Sequence, residues 1–490
     1  STKTLGTGEH ITIAVGADNG YHDGNIFSDK GGDYAILREG NYVNLYNGLP
    51  HNHPICGDKS CTNEEHKLPD GAEWVGVSTL DNDMAAGYYY LTDDVNMDTY
   101  NVPWSPDNSV TLCLNGHSIS ASLFANVINV RVGKTITLCD CDTQGRGSIV
   151  NTEHSNGCGV YLNGGTLNLY GGTVIAREYG VNVAQPDSTF NMHGGTIKNS
   201  GTGVCMATKG SLSFNMTGGT ITGNGIDADN AGGVYVGSGL FKMSGGSITQ
   251  NRMGEKIIGS GGVYIGGGTF EMGGNAVISD NSITIKESNS SYYTSAGAGG
   301  VYVGGGTFKM SGNSSITGNT IQNNSTKDVA GGVYVDAKDT IIMTVTGNAN
   351  VSGNTDGNVY LAKGKSIAID GELGETAAIG VRIPALAEGG SAAVAANAKE
   401  TDLDRFSDDS GNYTKKFSNG SIIFVSGEPH NHPICGDKNC TDNHSTAEFS
   451  VLTLNDLGEK TLNETGIPYY YRDLPEGNWY LTGNLNLDAT

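Results

Sequence analysis

The sequence predicts an all-β fold, a right-handed parallel β-helix solenoid of about ten coils that ends in a small β cap. Glycine is abundant, at 75 residues against 11 prolines, without a Gly-X-Y period. The chain therefore needs many tight turns and is neither collagen-like nor a proline-rich linker. A short motif of the form Gly-Val-Tyr-Val also recurs, and each copy is followed by two further short apolar runs.

The recurring motif defines one coil of the predicted solenoid. In one copy the three apolar runs are residues 234–236, 240–243 and 247–249. Short strands with side chains on alternating faces and glycine-rich corners are typical of a parallel β-helix. No run keeps the i, i+3, i+4 spacing of an α-helix between the glycines. The motif begins at Gly159, Gly180, Gly203, Gly233, Gly262, Gly300 and Gly332, with a weaker copy at Asn358.

Stacked coils should align similar residues into columns. At roughly 4.8 Å per coil, ten coils make a rod about 50 Å long. The expected internal columns are Phe190, Phe214, Phe241, Phe270 and Phe308, and beside them Met192, Met216, Met243, Met272 and Met310. An asparagine ladder is expected because asparagine tolerates left-handed turns and its amide can bond to the coils above and below. The expected ladder is Asn199, Asn224, Asn251, Asn281, Asn319 and Asn354.

A longer repeat indicates a tandem array. Residues 51–59 recur as 430–438, at an offset of 379 residues, and residues 87–92 resemble 477–482 at an offset of 390. The sequence thus contains one full unit of about 380 residues and parts of two others. We expect it to be a piece of a longer array.

The repeats also predict the division of the chain into segments. Residues 370–428 break the coil pattern, so we expect a C-terminal β cap there, although an independent binding module is an open alternative. The predicted segments are 1–50, the cap of a preceding unit; 51–74, a His/Cys linker; 75–369, the β-helix; 370–428, the cap; 429–446, a second His/Cys linker; and 447–490, the start of the next unit.

Charge and composition narrow the function classes. The chain carries 28 Lys and Arg against 51 Asp and Glu, a formal net charge of −23. Such a surface repels phosphate backbones, so nucleic acid is not expected as a partner. No apolar run reaches membrane-spanning length, and we expect no membrane span in this segment. The abundance of Asn, Thr, Ser, Gly and Tyr indicates an extracellular protein.

The two linkers share a His/Cys motif that predicts a metal site. The first copy is His51, His53, Cys56, Cys61 and His66, and the second is His430, His432, Cys435, Cys440 and His444. Thiolate and imidazole suit tetrahedral Zn²⁺, so we expect short zinc-binding linkers with closed, structural sites. Because only four ligands can bind at once, one histidine of each set is spare or supports the site indirectly. The alternative is a Cys56–Cys61 disulfide with incidental histidines.

Two further groups of residues have simpler interpretations. Cys113, Cys139, Cys141, Cys158 and Cys205 are expected to be small buried residues of the coils. The acidic residues Asp81, Asp83, Asp93, Asp94 and Asp98 are expected in solvated turns, with a Ca²⁺ site as the alternative.

A row of tyrosines is the candidate ligand surface. In Val-Tyr-Val the valines point inward, so the tyrosine points outward. Longer insertions precede several copies of the motif, and aromatic rings beside polar loops can stack on sugars. The alternative is that tyrosine merely stacks on tyrosine along a ladder. The tentative ligand-binding residues are Tyr235, Tyr264, Tyr302 and Tyr334 in the row, and Tyr292 and Tyr293 in one insertion.

An enzyme is the competing class of function. Residues 159–250 contain only four carboxylates, Glu178, Asp187, Asp227 and Asp229, and one arginine, Arg177. Glycoside hydrolysis requires paired carboxylates, and no pair stands at coil spacing. We therefore predict no catalytic residues.

The motifs resemble those of one family of proteins. Residues 300–313 (GVYVGGGTFKMSGN), 112–119 (LCLNGHSI) and 51–57 (HNHPICG) make the chain similar to large adhesin-like surface proteins of Gram-positive gut bacteria. These combine pectin-lyase-like β-helices with His/Cys-rich linkers. The resemblance covers nearly all of the chain, and it implies export and contact with host or dietary glycans, with surface proteins and with neighbouring units of the array. It supplies no catalytic residues.

These observations lead to an expected function. We expect an extracellular adhesin-like scaffold at the cell surface, with structural zinc and possible glycan binding on the tyrosine row. A purely structural stalk or filament subunit is the close alternative. A β-helix polysaccharide lyase or glycoside hydrolase is the third.

Overall fold

The computed structural model describes residues 51–426 with their side chains, apart from residues 52, 101, 287–294, 323–328, 337, 339–341 and 388 and the side chain of residue 100. Beyond that range it describes only the backbone of short strands. These strands are His10–Val15, Ala35–Glu39, Tyr42–Tyr46, His430–Pro433, Thr446–Val451, Glu459–Leu462, Pro468–Tyr471 and Asn478–Tyr480.

The predicted parallel β-helix is confirmed. One face of the solenoid, the first sheet, has one strand from each coil, and thirteen of its fifteen strands pair in parallel within the described chain. The other two faces have ten and nine strands, so complete three-stranded coils number about ten, as expected, and the first sheet extends beyond them at its ends. The strands are Trp74–Val77, Gly87–Leu91, Val110–Cys113, Thr135–Cys139, Thr166–Leu169, Thr189–Met192, Ser213–Met216, Leu240–Met243, Thr269–Met272, Thr307–Met310, Ile342–Gly347, Ile367–Leu373, Ser391–Ala396, Ser421–Val425 and Thr414–Ser418.

The other two faces form the second sheet, to which most coils give two strands. One face has the strands Val95–Asn96, Ser118–Ser120, Ser148–Asn151, Thr173–Ala176, Thr196–Lys198, Thr220–Thr222, Ser247–Thr249, Val277–Ser279, Ser315–Thr317 and Asn350–Val351. The other, the tyrosine face, has Asn126–Val130, Cys158–Leu162, Tyr179–Val183, Thr202–Met206, Val234–Val236, Val263–Ile265, Val301–Val303, Val333–Val335 and Val359–Leu361. The two faces meet in Ala378–Arg382, which pairs with Phe406–Asp408.

The interior columns are confirmed. The five phenylalanines from Phe190 to Phe308 are fully buried, and their rings stack with centroids 4.4–5.2 Å apart. The five methionines from Met192 to Met310 pair in register beside them. Large apolar side chains repeated at every coil thus make one continuous core, and a coil cannot slip in register without breaking it.

The asparagine ladder is confirmed with one correction. From Asn224 to Asn354, each amide Nδ2 donates to the Oδ1 of the next asparagine at 2.9–3.0 Å, and the ladder ends on Asn358. Asn199 does not belong to it, because Ser200 takes that place and donates its backbone N–H to Asn224. The left-handed conformation falls on the preceding residue, as at Gln250 (φ 56°) and Asp280 (φ 57°), and not on the ladder asparagine.

The insertions form a layer on the outside of the tyrosine face. They contribute two three-stranded parallel sheets, which we call the lateral layer. Met253, Ile283 and Ile321 form a small core of its own, and Ala296, Ala298 and Ala330 pack against the tyrosines. The strands are Arg252–Lys256, Ser282–Ile285 and Thr320–Gln322 in one sheet and Ile258–Ser260, Ala296–Ala298 and Val329–Ala330 in the other.

The predicted cap begins later than the sequence indicated. Parallel pairing continues through Ile367–Leu373, Ala378–Arg382 and Phe406–Asp408, so coils extend into the segment 370–428. Among the described residues of this segment, antiparallel pairing is limited to the hairpin of Thr414–Ser418 and Ser421–Val425, which pairs against Ser391–Ala396.

The same antiparallel arrangement occurs near the start of the chain. Ala35–Glu39 and Tyr42–Tyr46 form a hairpin that pairs with His10–Val15, and a register shift in His10–Val15 matches the one in Ser391–Ala396. The expectation that both regions form the same cap agrees with this pairing.

Helix is confined to short 3₁₀ segments in the described chain. They are Glu64–His66, Met97–Tyr100 and Glu400–Arg405. None of the described helices has the length and apolar character needed to cross a bilayer.

The asparagine ladder predicts that alanine substitutions at a ladder asparagine and at an exposed asparagine will lower the free energy of unfolding by very different amounts. Asn281 is fully buried, and its amide satisfies the Ile248 carbonyl and the Asn251 backbone N–H. Asn281→Ala leaves both unpaired and should lower the free energy of unfolding by roughly 2–4 kcal/mol in urea titrations. Asn313→Ala removes two exposed Asn–Asn hydrogen bonds, to Asn275 and from Asn348, and should change the free energy of unfolding by less than about 0.5 kcal/mol because water replaces both partners. Equal effects of the two substitutions would contradict this role of the ladder.

Candidate metal centres

The first His/Cys linker lies against the outer face of the first sheet. In-register pairing places one residue of each coil in an outward column at the end of the strands. Tyr90, Cys113 and Cys139 are buried in this column beneath the linker, with Trp74, Cys141 and Tyr170 packed against them. The linker therefore covers a patch of aromatic rings and thiols, which solvent would otherwise reach.

Three contacts order the linker, of which two join it to the first sheet and one closes it into a loop. The Trp74 indole N–H donates to the His53 carbonyl at 2.9 Å. The Ile55 backbone N–H donates to the His66 carbonyl at 2.8 Å and closes the linker into a loop. Gly57 adopts φ +83° and lies so close to the Asp140 backbone that an added Cβ would stand 2.9 Å from its carbonyl oxygen.

The first candidate centre joins two linker histidines to two coil cysteines. One ligand atom each from His51, His53, Cys113 and Cys141 lies within 4.8 Å of the other three. The Nε2 atoms of His51 and His53 are 2.6 Å apart, and the Cys141 Sγ is 3.8 Å from the His51 Nε2. An ideal tetrahedron with bonds of about 2.0–2.3 Å has edges of roughly 3.3–3.8 Å. The group could therefore hold a metal ion after small side-chain movements.

The surroundings favour the neutral histidine that a metal requires. The His53 Nδ1 is 2.6 Å from the Pro54 carbonyl, so that nitrogen carries the proton and the Nε2 lone pair faces His51. His51 stacks on the Tyr90 ring at 4.1 Å. Burial and the neighbouring His53 and Lys59 lower the pKa of His51 to about 3.

The two cysteines of this centre are thiols before a metal binds. Burial and contact with Cys139 raise the pKa of Cys113, and contact with Cys113 together with burial raises the pKa of Cys141. A metal ion would have to displace both protons, so its binding should weaken as the pH falls.

The second candidate centre lies within the linker. Ligand atoms of Cys56, Cys61 and His66 are also within 4.8 Å of one another, and the Cys61 Sγ is 3.3 Å from the His66 Nδ1. Burial is the main cause of the raised pKa of Cys56. The His66 ring meets the edge of Tyr170, with centroids 5.0 Å apart. This group offers three ligands, which leaves a fourth position for water or another residue.

The structure thus changes the predicted ligand set. The five residues of the motif do not form one site with a spare histidine but are divided between two groups. The physical reason is the tight turn at Pro54 and Gly57, which directs His51 and His53 towards the coils and the other three residues into the linker.

Sequence reasoning missed Cys113 and Cys141, which it interpreted as small buried residues. Their spacing carries no motif, because 47 or more residues separate them from the linker histidines in this sequence.

The alternatives to a metal receive less support. The seven described cysteines, including Cys56 and Cys61, are free thiols. The acidic residues considered for Ca²⁺ do not form a metal-holding group in the described part of the chain. Asp94 and Asp98 instead accept hydrogen bonds from the backbone N–H groups of Ser118 and Ser122 in the next coil, as expected for turn residues.

The second copy of the motif is only partly described. The backbone of His430–Pro433 pairs antiparallel with Thr446–Val451, so that His430 lies opposite Phe449 and His432 opposite Ala447. Cys435, Cys440 and His444 lie outside the described residues.

The tyrosine row is a stacked ladder that the lateral layer largely covers. Rings from Tyr235 to Tyr360 follow one another with centroids 4.8–5.6 Å apart. Tyr302 and Tyr334 are only 2% and 5% exposed, so they cannot present a ring face to a sugar, contrary to the expectation. Tyr235 and Tyr264 remain half-buried. Tyr292 and Tyr293 lie outside the described residues.

Comparison with protein-family models, with curated proteins and with solved structures finds no match to this chain. A functional argument therefore depends on the chemistry of its own residues.

The contact at Gly57 predicts that a larger residue at this position will loosen the linker from the coils. Gly57→Ala should raise amide hydrogen exchange across residues 51–66 at least about tenfold, because the new Cβ meets the Asp140 carbonyl. Gly71→Ala is the matched control, because Gly71 has a similar φ of +79° but nothing within 4 Å of an added Cβ. Gly71→Ala has the same backbone strain, about 1 kcal/mol, and should leave amide exchange across residues 51–66 unchanged. Similar exchange in the two variants would mean that backbone strain, and not the contact with the coil, matters.

Proposed function

We propose that this protein is an exported, adhesin-like scaffold of tandem β-helix units, in which zinc ions fasten each His/Cys linker to the coils that follow it. The rigid part is the solenoid. The zinc-bound linker would fix how one unit continues into the next. The protein would then act by holding surfaces at a distance from the cell, and not by catalysing a reaction.

One observation carries this proposal. The first candidate centre takes two ligands from the linker and two from different coils, so an ion there would cross-link segments that are distant in sequence. Because this site exists only when the linker is docked, the binding free energy of the metal would add to the stability of the docked, folded state. A linker with little core of its own needs this support.

The donor set favours zinc. Two thiolates and two imidazoles form the common closed set of structural Zn²⁺ sites, whereas Ca²⁺ and Mg²⁺ prefer oxygen ligands. All four positions are filled by protein, which leaves no place for a substrate or an activated water. A structural role is therefore the natural use of this centre.

Metal ligation also agrees with an exported protein that has free thiols. Cys113 lies close to both Cys139 and Cys141, and closely spaced thiols oxidise to disulfides outside the cell. Coordination would protect Cys113 and Cys141, while Cys158 and Cys205 are protected by burial. The extracellular location itself is proposed on composition, which is rich in Asn, Thr, Ser, Gly and Tyr.

The zinc proposal predicts which cysteines control metal content. Zinc should be counted by native mass spectrometry in a background where His430, His432, Cys435, Cys440 and His444 are replaced, so that only the first linker binds. We expect two ions in this background: Cys113→Ser should remove one of them, and Cys61→Ser should remove the other, weaker one.

A matched variant controls for the loss of any buried thiol. Cys158 is buried and belongs to neither group, so Cys158→Ser should keep both ions. Full zinc content in Cys113→Ser would contradict the proposed ligand set. Disulfides at Cys56–Cys61 or Cys113–Cys141 in the native protein would contradict zinc ligation altogether.

A further inference from the structure

An open notch interrupts the outer surface of the solenoid beside the tyrosine face. Its volume is about 480 Å³. It lies over the turns that lead into the tyrosine strands, on a different side of the coils from the two candidate metal centres, which lie on the first sheet. Four successive coils line it, a length of about 14 Å at 4.8 Å per coil.

The notch results from changes in turn length. In two central coils the turn before the tyrosine strand is very short, at residues 177–178 and 199–201. On one side stands the longer turn 152–157, and on the other the loop 223–233, where the lateral layer begins. The short turns form the floor, and the longer ones form two walls.

Small residues deepen the notch. The outward column of the tyrosine face contains Tyr161, then Asn182 and Cys205, and then Tyr235. The aromatic ladder is therefore interrupted where the notch lies, and the half-buried rings of Tyr179 and Tyr235 line it. Beyond Tyr235 the lateral layer covers the ladder. Tyr235 is thus the end of the ladder that faces the notch.

The chemistry of the lining is polar and acidic. Glu178, Asp227 and Asp229 line the notch together with a single cation, Arg177, and the amides of Asn156 and Asn230. The sequence has no carboxylate pair at coil spacing, yet turns two coils apart place all three carboxylates in the lining of the notch. Burial, with the nearby Cys205 and Glu178, raises the pKa of the Tyr179 hydroxyl.

The charge and the aromatic rings of this lining favour some classes of ligand over others. An excess of carboxylates repels uronates, sulfated sugars and phosphates. Asp227 faces Arg177 and Asp229 faces Lys256. These two carboxylates are therefore paired with basic side chains, and they do not form a metal-holding group among the described residues. Half-exposed aromatic rings beside hydrogen-bonding groups suit a ligand that has apolar faces and a polar rim.

We propose that this notch binds a short, uncharged oligosaccharide, with Tyr179 and Tyr235 against the sugar faces and Glu178 accepting hydrogen bonds from its hydroxyls. The site deepens the adhesive role proposed above and replaces the covered tyrosine row as the sugar-binding surface. It does not depend on zinc, so the two proposals can fail separately.

The test is calorimetric titration of the full zinc-loaded chain with cellohexaose, xylohexaose, mannohexaose and galactohexaose. Oligogalacturonate and oligolysine are included as charged competitors. At least one uncharged hexaose should bind, and Tyr235→Ala and Glu178→Gln should each weaken it about tenfold. Tyr161→Ala is the matched control, because Tyr161 belongs to the same outward column but not to the lining, and it should leave the affinity unchanged.

Several outcomes would overturn the proposal. These are no binding of any uncharged hexaose, binding of oligogalacturonate or oligolysine instead, or equal losses in Tyr235→Ala and Tyr161→Ala. Circular dichroism of each variant verifies that the coils remain folded. Released reducing ends are recorded in parallel, and their appearance would overturn the purely adhesive use of the notch and point to its carboxylates as a hydrolytic pair.

Discussion

In-register stacking of the coils is the constraint on which the rest of the structure depends. Each strand pairs with its equivalent one coil away, so a residue type that recurs in the sequence becomes a column in space. Inside, this produces the phenylalanine stack and the buried asparagine ladder. Outside, it produces the tyrosine ladder and the column that contains Cys113 and Cys139. Because coils cannot shift singly, every outward residue stands at a fixed height and angle. A solenoid can therefore bring together metal-ligating side chains that are far apart in sequence and belong to no local motif.

Periodic features of this protein could be predicted from the sequence, and features that depend on how non-repeated segments dock could not. The Phe and Met columns follow directly from the Gly-Val-Tyr-Val spacing. Asn199 was misplaced because Ser200 can accept the same backbone hydrogen bond, a substitution that pattern matching does not register. The His/Cys motif predicted a metal site, and its residues do form groups that could hold an ion. The partition of these residues into two groups depends on the turn at Gly57 and on cysteines in the coils. Neither leaves a periodic signal.

The variable turns explain why the outer surface differs along the rod. Where they are long, as in residues 250–262 and 280–300, they pair with one another and build the lateral layer over the tyrosines. Where they are short, they leave the notch. The sequence revealed the insertions but not that they would cover Tyr302 and Tyr334, because coverage depends on where their small alanines pack. The regular core thus provides rigidity, and changes in turn length shape the notch and the lateral layer on its surface.

A metal ion at the first centre would join the linker to the coils through two histidines and two cysteines. X-ray absorption at the zinc edge distinguishes this ligand set from others, on a zinc-loaded chain in which the second linker and Cys61 have been replaced so that one centre remains. We expect two sulfur neighbours at about 2.3 Å and two nitrogen neighbours at about 2.0–2.1 Å. A shell of nitrogen and oxygen alone, or a single sulfur, would contradict this expectation, because Cys113 and Cys141 would then not both be ligands.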